Sequence, residues 1–339
     1  MLVAIIFRGL DALDTELEPL LGCRTMAVVR AVDPMVVIVI LNWNGKEDTA
    51  ECIDSLKRID YSNHRILVVD NGSTDGSAEW FDRMYPEIEV VRNKKNLGYT
   101  GGNNIGIRRA IILSADYVLL LNNDTIVDSG FLTELINAVG HDKSIGIAGP
   151  TVFDYGSNSS VQATGAIVRW YTGSTTRIEL GTTGCDDARR RIEVDFVSGS
   201  CLLARTSIIE RVGYLDDCFF AHWEEIDWCV GAKNAGYKVV WAPNARIWHK
   251  CGATGGRIPG FREYHNGRNR FWFMKKRANR RQFIFFLLYF FCFDFWKRTM
   301  IYVVYYRDVN ALIAFLHGTF DGISQYPCPR TFTSEGLPP

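Results

Sequence analysis

Between residues 36 and 121 the sequence alternates apolar runs with segments of helical periodicity, and this rhythm restricts the fold more than any other feature. The apolar runs are VVIVIL (36–41), HRILVVD (64–70), IEVVRN (88–93) and DYVLLL (116–121). The segments between them at 46–59 and 77–84 predict helices, and the segment at 98–115 predicts a Gly/Asn loop that continues as a helix. Strands that alternate with helices form parallel sheets covered on both faces. We therefore predict an α/β fold with a mostly parallel sheet flanked by helices.

The pattern continues less regularly after residue 121. The stretches IGIAGP (145–150) and VDFVSGSCLLA (194–204), with an irregular region at 151–192 between them and a helix near 206–212, continue the same domain, and a further helix is predicted at 224–237. The stretch KVVWAPNARIWHK (238–250) predicts a strand, a turn and a second strand.

The first 34 residues do not fit this pattern. Their apolar run MLVAIIFRGL is too short to span a membrane and lacks the basic start of a signal peptide. Because a strong strand follows Met35 directly, we predict a poorly ordered extension. It is either a real arm or the result of a start assigned upstream of Met26 or Met35.

Charge and cysteine content exclude two classes of protein. Lys plus Arg and Asp plus Glu both number 38, so there is no basic excess of the kind that binds nucleic acid. The nine cysteines form no CxxC pair, and their odd number argues against a disulfide framework and for a reducing compartment.

Polar side chains stand where three of the predicted strands end. Asn42 and Asn44 follow the first strand, Asp70 and Asn71 the second, and Asn122, Asn123 and Asp124 the fourth. Ligands of open α/β sheets bind at the carboxyl ends of the strands. The sequence therefore predicts one shared pocket at this edge of the sheet.

The stretch NLGYTGGNN (96–104) predicts a loop that opens a helix. Gly98, Gly101, Gly102 and Asn103 would let the backbone approach a ligand, and the helix start would offer free N–H groups to an anion. The sequence has neither GxGxxG after the first strand nor GxxxxGK[ST]. Dinucleotide-binding and P-loop classes therefore lose support.

Acidic and imidazole side chains follow in the second half. FFAHWEEIDWC (219–229) brings Glu224, Glu225 and Asp227 next to aromatic residues. These acids are either a solvated helix start or carboxylates whose pKa is raised by desolvation, as suits a general base. His249, at the end of a strand, is either structural or a metal ligand.

These motifs, in this order over residues 35–255, resemble the family 2 glycosyltransferases, and in particular their rhamnosyltransferase-like branch. The resemblance implies a GT-A (Rossmann-like) fold and inverting sugar transfer from a nucleotide-diphosphate sugar donor, usually with Mn²⁺ or Mg²⁺. It divides the domain into a nucleotide-binding half (35–125) and an acceptor and catalytic half (126–255). The acceptor would be a glycan or a lipid-linked glycan.

The resemblance also assigns roles on the donor side. Asp70 occupies the position of the acid that reads the nucleotide base, and Asn42 and Asn44 line the nucleoside. The triplet NND (122–124) stands where the family has its DxD-type motif, so Asp124 would bind the metal. Asn122 replaces the first Asp and would contact ribose or metal.

The resemblance makes Glu225 the catalytic base. That position is usually Asp, so Glu225 is a departure that puts the geometry of the base in doubt, and Glu224 could share the role. His249 matches a histidine that completes the metal site in some relatives.

The region 256–325 is predicted to be helical and rich in aromatic residues, with apolar runs at 283–296 and 300–306. Neither run suits a spanning helix, so amphipathic helices on the cytoplasmic face of a membrane fit better, beside basic residues at 275–281. A buried cap, a homodimer surface and a membrane-inserted hairpin are the alternatives. Residues 326–339 are predicted to be a flexible tail.

Three competing functions are weighed against sugar transfer. A sugar nucleotidyltransferase would carry a Gly-rich, Arg-containing first loop, where this sequence has NWNGKED. A processive polysaccharide synthase would carry QxxRW, which is missing. A catalytically silent nucleotide-sugar-binding protein would not need Asp124, Glu225 and His249.

Overall fold

The structure is a computed structural model that describes residues 33–157, 159–179, 191–251 and 258–325. The described residues from Pro34 to Gln325 belong to one compact unit. The predicted N-terminal extension, apart from its last two residues, and the predicted tail after residue 325 lie outside the described residues.

The first half of the domain has the predicted alternation of strands and helices. Its elements are β1 (Val36–Asn42), α1 (Lys46–Leu56), β2 (His64–Asp70), α2 (Ser77–Met84), β3 (Glu89–Arg92), α3 (Gly98–Ile112) and β4 (Tyr117–Asn122). Strand β1 pairs in parallel with both β2 and β4, and β2 pairs in parallel with β3. The α/β prediction is confirmed.

The second half adds strands of both directions. Its elements are β5 (Thr125–Val127), α4 (Phe131–Val139), β6 (Ile145–Asp154), β7 (Val161–Ala163), β8 (Ala166–Arg169), β9 (Ser174–Arg177), β10 (Ile192–Val194), β11 (Cys201–Arg205), α5 (Ile209–Val212), α6 (Glu224–Asn234) and β12 (Lys238–His249). The large sheet has the order β10-β12-β6-β11-β4-β1-β2-β3. Because β11 runs antiparallel to β4 and β6, the sheet is mostly parallel but mixed.

The prediction of two strands over 238–250 is wrong, because β12 is one continuous strand. Its pairing with β6 shifts register between Ala242 and Arg246, where Pro243 interrupts the sequence. Proline cannot donate to the ladder, so the pattern suggested a turn where the strand has only an irregularity.

Each face of the sheet buries its own apolar cluster. Alternate residues of β1 divide between the clusters: Ile38 and Ile40 enter one and Val37 and Val39 the other. All four are fully buried. Full burial of one such side chain stabilises the fold by roughly 1.5–3 kcal/mol. This burial on both faces explains why the apolar runs of the strands are continuous. It also fixes the position of each strand in the sheet, and with it the position of the polar residues at the end of the strand.

The predicted loop through residue 104 is also wrong, because α3 begins at Gly98. A Cβ atom at Gly102 would lie 2.3 Å from Leu41 Cδ1, and one at Gly106 would lie 2.2 Å from Val39 Cγ1. Glycine is required at Gly102 and Gly106 because the helix packs closely on the sheet there. Since α3 begins at Gly98, Gly101 and Gly102 lie inside the helix.

The C-terminal region is helical, as predicted. It comprises α7 (Phe261–Arg277), α8 (Arg280–Tyr289), a π-helical stretch (Phe290–Asp294), α9 (Phe295–Met300), a second π-helical stretch (Ile301–Tyr306) and α10 (Val309–Ser324). A third apolar core, rich in phenylalanine, packs these helices against α6. Among the residues that the structure describes, no helix has both the length and the apolar character needed to cross a bilayer.

Candidate active site

The ends of β1 and β2 are joined by a buried hydrogen-bond network centred on Asn42. Asn42 lies opposite Asp70 in the sheet register, and its Nδ2 donates to Asp70 Oδ2 (2.9 Å) and to Ser77 Oγ (2.8 Å). Its Oδ1 accepts from Thr49 Oγ1 (2.9 Å). Asp70 Oδ1 accepts from the backbone N–H of Ser73 (3.0 Å). The network fixes the Asp70 carboxylate at the end of its strand.

Asn44 and Asn71 shape the loops beside this network. Asn44 has a left-handed backbone (φ 52°), and its Oδ1 accepts from the backbone N–H of Thr74 (2.7 Å). Asn71 Nδ2 donates to Gly98 O (3.1 Å) and its Oδ1 accepts from the N–H of Leu97 (3.1 Å). Asn71 therefore ties the end of β2 to the start of α3.

Asn103 lies one turn into α3 and is buried. Its Nδ2 donates to Tyr99 O (2.9 Å). Among the described residues, no hydrogen-bond partner is present for its buried Oδ1.

The triplet after β4 divides between two environments. Asn123 Nδ2 donates to Thr49 Oγ1 (3.0 Å), so Asn123 joins the interior network of Asn42. Asn122 Nδ2 and Asp124 Oδ1 lie 3.3 Å and 3.0 Å from His249 Nε2. The structure thus brings Asn122, Asp124 and His249 together and turns Asn123 away from them.

His249 is oriented by a residue that the sequence did not indicate. Its Nδ1 lies 2.7 Å from Gln162 Oε1, a carbonyl oxygen, which accepts the ring N–H. Burial disfavours a charged imidazole, but hydrogen bonds and negative charge from Asp124 and Cys251 outweigh burial and raise the pKa of His249 to about 9. The ring is therefore held with Nε2 directed at Asp124.

The Asp124–His249 pair has the chemistry of a partial metal site. One carboxylate oxygen and one imidazole suit Mn²⁺, and a second partner that fixes the imidazole is common around metal ligands. Within the described ranges, no cluster of three or more His, Cys, Asp or Glu side chains could hold a metal ion. Asn122 and donor phosphate oxygens would have to supply the remaining ligands.

Glu224 and Glu225 open α6 in a desolvated environment. Glu224 is buried and Glu225 is half-buried, and no hydrogen-bond partner among the described residues reaches Oε2 of either. Burial, reinforced by the charge of Glu225, raises the pKa of Glu224 well above its ordinary value. Burial also raises the pKa of Glu225, to about 6, against several backbone hydrogen bonds. The alternative of a solvated acidic helix start does not describe these side chains.

Asp227 has a different environment from the two glutamates. Its carboxylate accepts hydrogen bonds from Lys276 Nζ (2.7 Å) and Arg277 Nε (2.6 Å), both on α7. The side chain is 4% exposed. In this structure Asp227 joins α6 to α7, and its oxygens are occupied by these cations.

A strained segment before α6 sets the direction of the glutamates. Phe220, His222 and Trp223 all have positive φ, between 62° and 74°. Such conformations persist only where surrounding contacts hold them. Asn269 on α7 supplies these contacts, because its Nδ2 donates to the carbonyls of Ala221 (2.7 Å) and His222 (2.7 Å).

The loop at 198–200 links the glutamates to the strand ends. The backbone N–H of Asn122 donates to Ser200 O (2.9 Å), and the Tyr99 hydroxyl donates to Gly199 O (2.6 Å). A Cβ atom at Gly199 would lie 3.5 Å from the Glu225 Cβ. Glu225 and the backbone of Asn122 therefore border the same short loop.

Sequence reasoning missed Gln162, Tyr99, Gly199 and Asn269. Each acts through a contact with a residue far away in the chain, so no local pattern indicates it. The only available signal was the glycine in VSGSC (197–201), to which the sequence analysis assigns no role.

Comparison with known proteins identifies relatives of similar sequence. The Agl10 hexosyltransferase of low-salt glycan biosynthesis in Haloferax volcanii is 27% identical over 206 residues, which are 60% of this chain and 62% of that protein. An N-acetylglucosaminyl-diphospho-decaprenol L-rhamnosyltransferase of Mycobacterium tuberculosis is 27% identical over 213 residues, 57% of this chain and 69% of the relative.

A solved structure with a similar fold is the mannosyltransferase PcManGT from Pyrobaculum calidifontis, in complex with GDP-Man and Mn²⁺. It superposes with a TM-score of 0.53 at 13% identity and covers 87% of this chain and 88% of its own. This likeness confirms the GT-A fold. The model of the family "Glycosyl transferase family 2" matches residues 36–213, more than half of the 339 residues. The chain belongs to glycosyl transferase family 2.

Proposed function

We propose that the protein is an inverting glycosyltransferase that moves a sugar from a nucleotide-diphosphate sugar to a hydroxyl of a glycan or lipid-linked glycan. The observation that carries this proposal is the desolvated Glu225 carboxylate beside the loop that borders Asn122. A carboxylate with a pKa of about 6 is deprotonated near neutral pH and remains basic enough to take a proton.

The strand ends would bind the donor. Asp70, held by Asn42 and Ser73, presents acceptor oxygens that suit the N–H groups of a nucleotide base. Asn44 would line the nucleoside, and Asn122 would contact ribose or metal. At the start of α3, the N–H groups of Gly98 and Thr100 already donate to Asn96 Oδ1 (2.8 Å) and Phe220 O (3.2 Å), so the strand ends would make most of the donor contacts.

Asp124 and His249 would hold a divalent cation, Mn²⁺ or Mg²⁺. When bound, such an ion would neutralise the charge of the departing nucleoside diphosphate. Glu225 would accept the proton of the acceptor hydroxyl as that oxygen attacks the sugar from the opposite face. Burial raises the pKa of Glu224 well above its ordinary value, so Glu224 would either donate a hydrogen bond in its protonated form or share the role of base in its ionised form.

The C-terminal helices would attach the protein to the cytoplasmic face of a membrane. Phe285, Phe293, Trp296 and Tyr305 are all more than half exposed, and Arg280 and Arg281 are exposed beside them. Isolated proteins rarely expose so many large apolar side chains together. A second copy of the chain is the alternative cover for this surface, which would make the protein a homodimer.

A turnover screen tests the proposed function. The full chain is incubated with Mn²⁺, a panel of nucleotide sugars, and free or lipid-linked glycans, and the release of nucleoside diphosphate is followed. Release from one donor, abolished by Glu225→Gln and by Asp124→Asn, is the expected result. Stabilisation by nucleotide and Mn²⁺ without turnover of any donor would favour the silent binder instead.

A further inference from the structure

A cavity of about 320 Å³ lies among the C-terminal helices, outside the site described above. Its wall is formed by α7, α10 and the helical segment between them. Three of its lining residues are arginines, Arg262, Arg270 and Arg298. The amide of Asn266, the phenol of Tyr302 and the carboxylate of Glu263 also line it.

The charge of this cavity favours an anion. Arg270 is committed to the protein, because it pairs with the buried Asp294 and donates to the carbonyls of Thr172 and Gly173. Arg298 also pairs with Asp294 but is 38% exposed, and Arg262 is 70% exposed. Arg262 pairs with Glu263 (3.2 Å), so within the described part of the chain the three arginines share two carboxylate partners, Asp294 and Glu263, and carry one charge more than these carboxylates. Arg262 and Arg298 are therefore the cations that a ligand can reach.

The cavity has a direct connection to the candidate catalytic residues. Asn266 in its wall accepts a hydrogen bond from Trp223 Nε1 (3.0 Å). Trp223 is the residue that immediately precedes Glu224 at the start of α6. A ligand bound against Asn266 therefore lies one side chain away from the segment that carries both glutamates.

The same cavity borders the exposed apolar surface. Tyr302 in its wall belongs to the π-helical stretch Ile301–Tyr306, in which Val303, Val304 and Tyr305 are exposed by 51%, 57% and 79%. A ligand with a charged group in the cavity could therefore extend a hydrocarbon chain along these residues.

We propose that this cavity binds the phosphate or diphosphate group of a lipid-linked acceptor, with Arg262 and Arg298 as its cations. The lipid would lie on the surface around Tyr305, and the sugar would reach past Asn266 and Trp223 to Glu225. This inference rests on the proposed function, because it assigns the acceptor of the same reaction. Arginine suits the task because its guanidinium binds phosphate oxygens in pairs.

Binding of simple probes to the full chain tests the proposal. Inorganic pyrophosphate and farnesyl diphosphate are titrated by calorimetry in the presence of EDTA, so that no divalent cation carries them to Asp124. Both should bind, farnesyl diphosphate more tightly. Arg262→Ala and Arg298→Ala should each weaken binding by about tenfold, as expected for a lost hydrogen bond to a charged group. Since Arg298 also pairs with Asp294, Arg262→Ala is the decisive variant if Arg298→Ala does not fold.

The matched control is Arg281→Ala, which removes an exposed arginine of α8 that does not line the cavity. It should leave both affinities within about twofold of wild type. Equal losses in Arg281→Ala and Arg262→Ala, or unchanged affinity in Arg262→Ala, would overturn the proposal. Equal affinity for pyrophosphate and farnesyl diphosphate would indicate a soluble phosphate ligand and overturn the lipid assignment.

A further experiment distinguishes a failure of this inference from a failure of the proposed function. Asp124→Asn should abolish turnover but leave the binding of both probes unchanged. Loss of probe binding in Asp124→Asn would place the probes in the donor site and overturn the cavity assignment. If the wild type turns over no donor but binds the probes through Arg262, the proposed function fails while the anion site stands.

Discussion

His249 Nε2 lies 3.0 Å from Asp124 Oδ1, although the two residues are far apart in sequence. They meet because the end of β12 pairs with β5 in antiparallel register, with His249 opposite Thr125. The backbone N–H of Lys250 also donates to Asp124 O (3.0 Å). The pair is thus fixed by main-chain hydrogen bonds, and its orientation depends on the side chain that holds the other imidazole nitrogen.

Gln162→Leu tests that dependence. Gln162 Oε1 accepts from His249 Nδ1, so its loss frees the ring to rotate or change tautomer. We expect the affinity for Mn²⁺, measured in the presence of a nucleoside diphosphate, to fall about tenfold, as for other residues that orient metal ligands. Gln162→Glu, which keeps an acceptor oxygen, is the control and should retain most of the affinity. Equal behaviour of the two variants would contradict the orienting role.

Glu225→Gln tests the assignment of the base. The amide keeps the shape of the side chain but cannot accept a proton, so kcat should fall by roughly 10²–10⁴. Donor binding, measured by titration with nucleotide, should not change. Glu224→Gln is the matched control, because Glu224 is adjacent and buried, and burial raises its pKa further than that of Glu225. A larger loss of kcat in Glu224→Gln would exchange the two roles.

The pH dependence of turnover follows from the same assignment. A base acts when it is deprotonated, and burial raises the pKa of Glu225 to about 6. The rate should therefore rise with pH through about 6 and level off above it. Glu225→Asp retains a carboxylate on a shorter side chain. Its turnover rate should therefore be lower than that of wild type but should still rise with pH. A flat wild-type profile between pH 5 and pH 7 would exclude Glu225 as the base.

The sequence was sufficient for the parts of the fold that have a local signature. Burial on both faces of the sheet produces the continuous apolar runs of β1 and β4, and the polar residues at their ends show where the sheet edge lies. The glycines of α3 were misinterpreted because glycine permits both a loop and close packing. The packing contacts of Gly102 with Leu41 and of Gly106 with Val39 distinguish these possibilities, and the sequence does not show them.

The candidate site was predicted less completely, for a related reason. Asp124 and Glu225 have distinctive neighbours in the sequence, whereas Gln162 and Asn269 are ordinary polar residues that act through distant partners. Asp227 resembled its acidic neighbours in sequence, and only the packing of α7 shows that Lys276 and Arg277 occupy its carboxylate. Long-range partners of this kind leave no periodic or local signal.

Asn269→Ala tests the support of the strained segment before α6. The substitution leaves the carbonyls of Phe219, Ala221 and His222 without the amide that donates to them. We expect the free energy of unfolding to fall by about 1–3 kcal/mol in chemical denaturation, and kcat to fall as Glu225 loses its position. Asn234→Ala, at an exposed position of α6, is the control and should change stability by less than about 0.5 kcal/mol.

Phe293→Ser and Trp296→Ser test membrane attachment. Both side chains are more than 60% exposed, and their transfer from water into a bilayer interface is favourable. The double variant should sediment less with vesicles that contain phosphatidylglycerol, while keeping wild-type thermal stability. Ile112→Ser removes an equally exposed apolar side chain from the end of α3, outside the C-terminal helices, and should not alter sedimentation. If vesicle binding is unchanged but wild type dimerises and the double variant does not, this surface is a dimer interface.

Asp294→Asn tests the ion pairs that hold the C-terminal helices on α7. Asp294 and Arg270 are both buried, with side chains 11% and 5% exposed, and the substitution leaves the Arg270 guanidinium without its counter-charge. Removal of one partner from a buried pair costs about 3–5 kcal/mol, which urea denaturation at pH 7 should detect.

The same pair predicts how stability changes with pH. Burial alone would raise the pKa of Asp294, but Arg270 and Arg298 outweigh it and bring the pKa below its ordinary value. A lowered folded-state pKa stabilises the fold above the ordinary pKa of about 4, and this stabilisation is lost as pH falls towards the lowered value. The difference in unfolding free energy between wild type and Asp294→Asn should therefore be constant near neutral pH and shrink below about pH 4. A difference that persists at low pH would show that Asp294 stabilises the helices by packing and not by its charge.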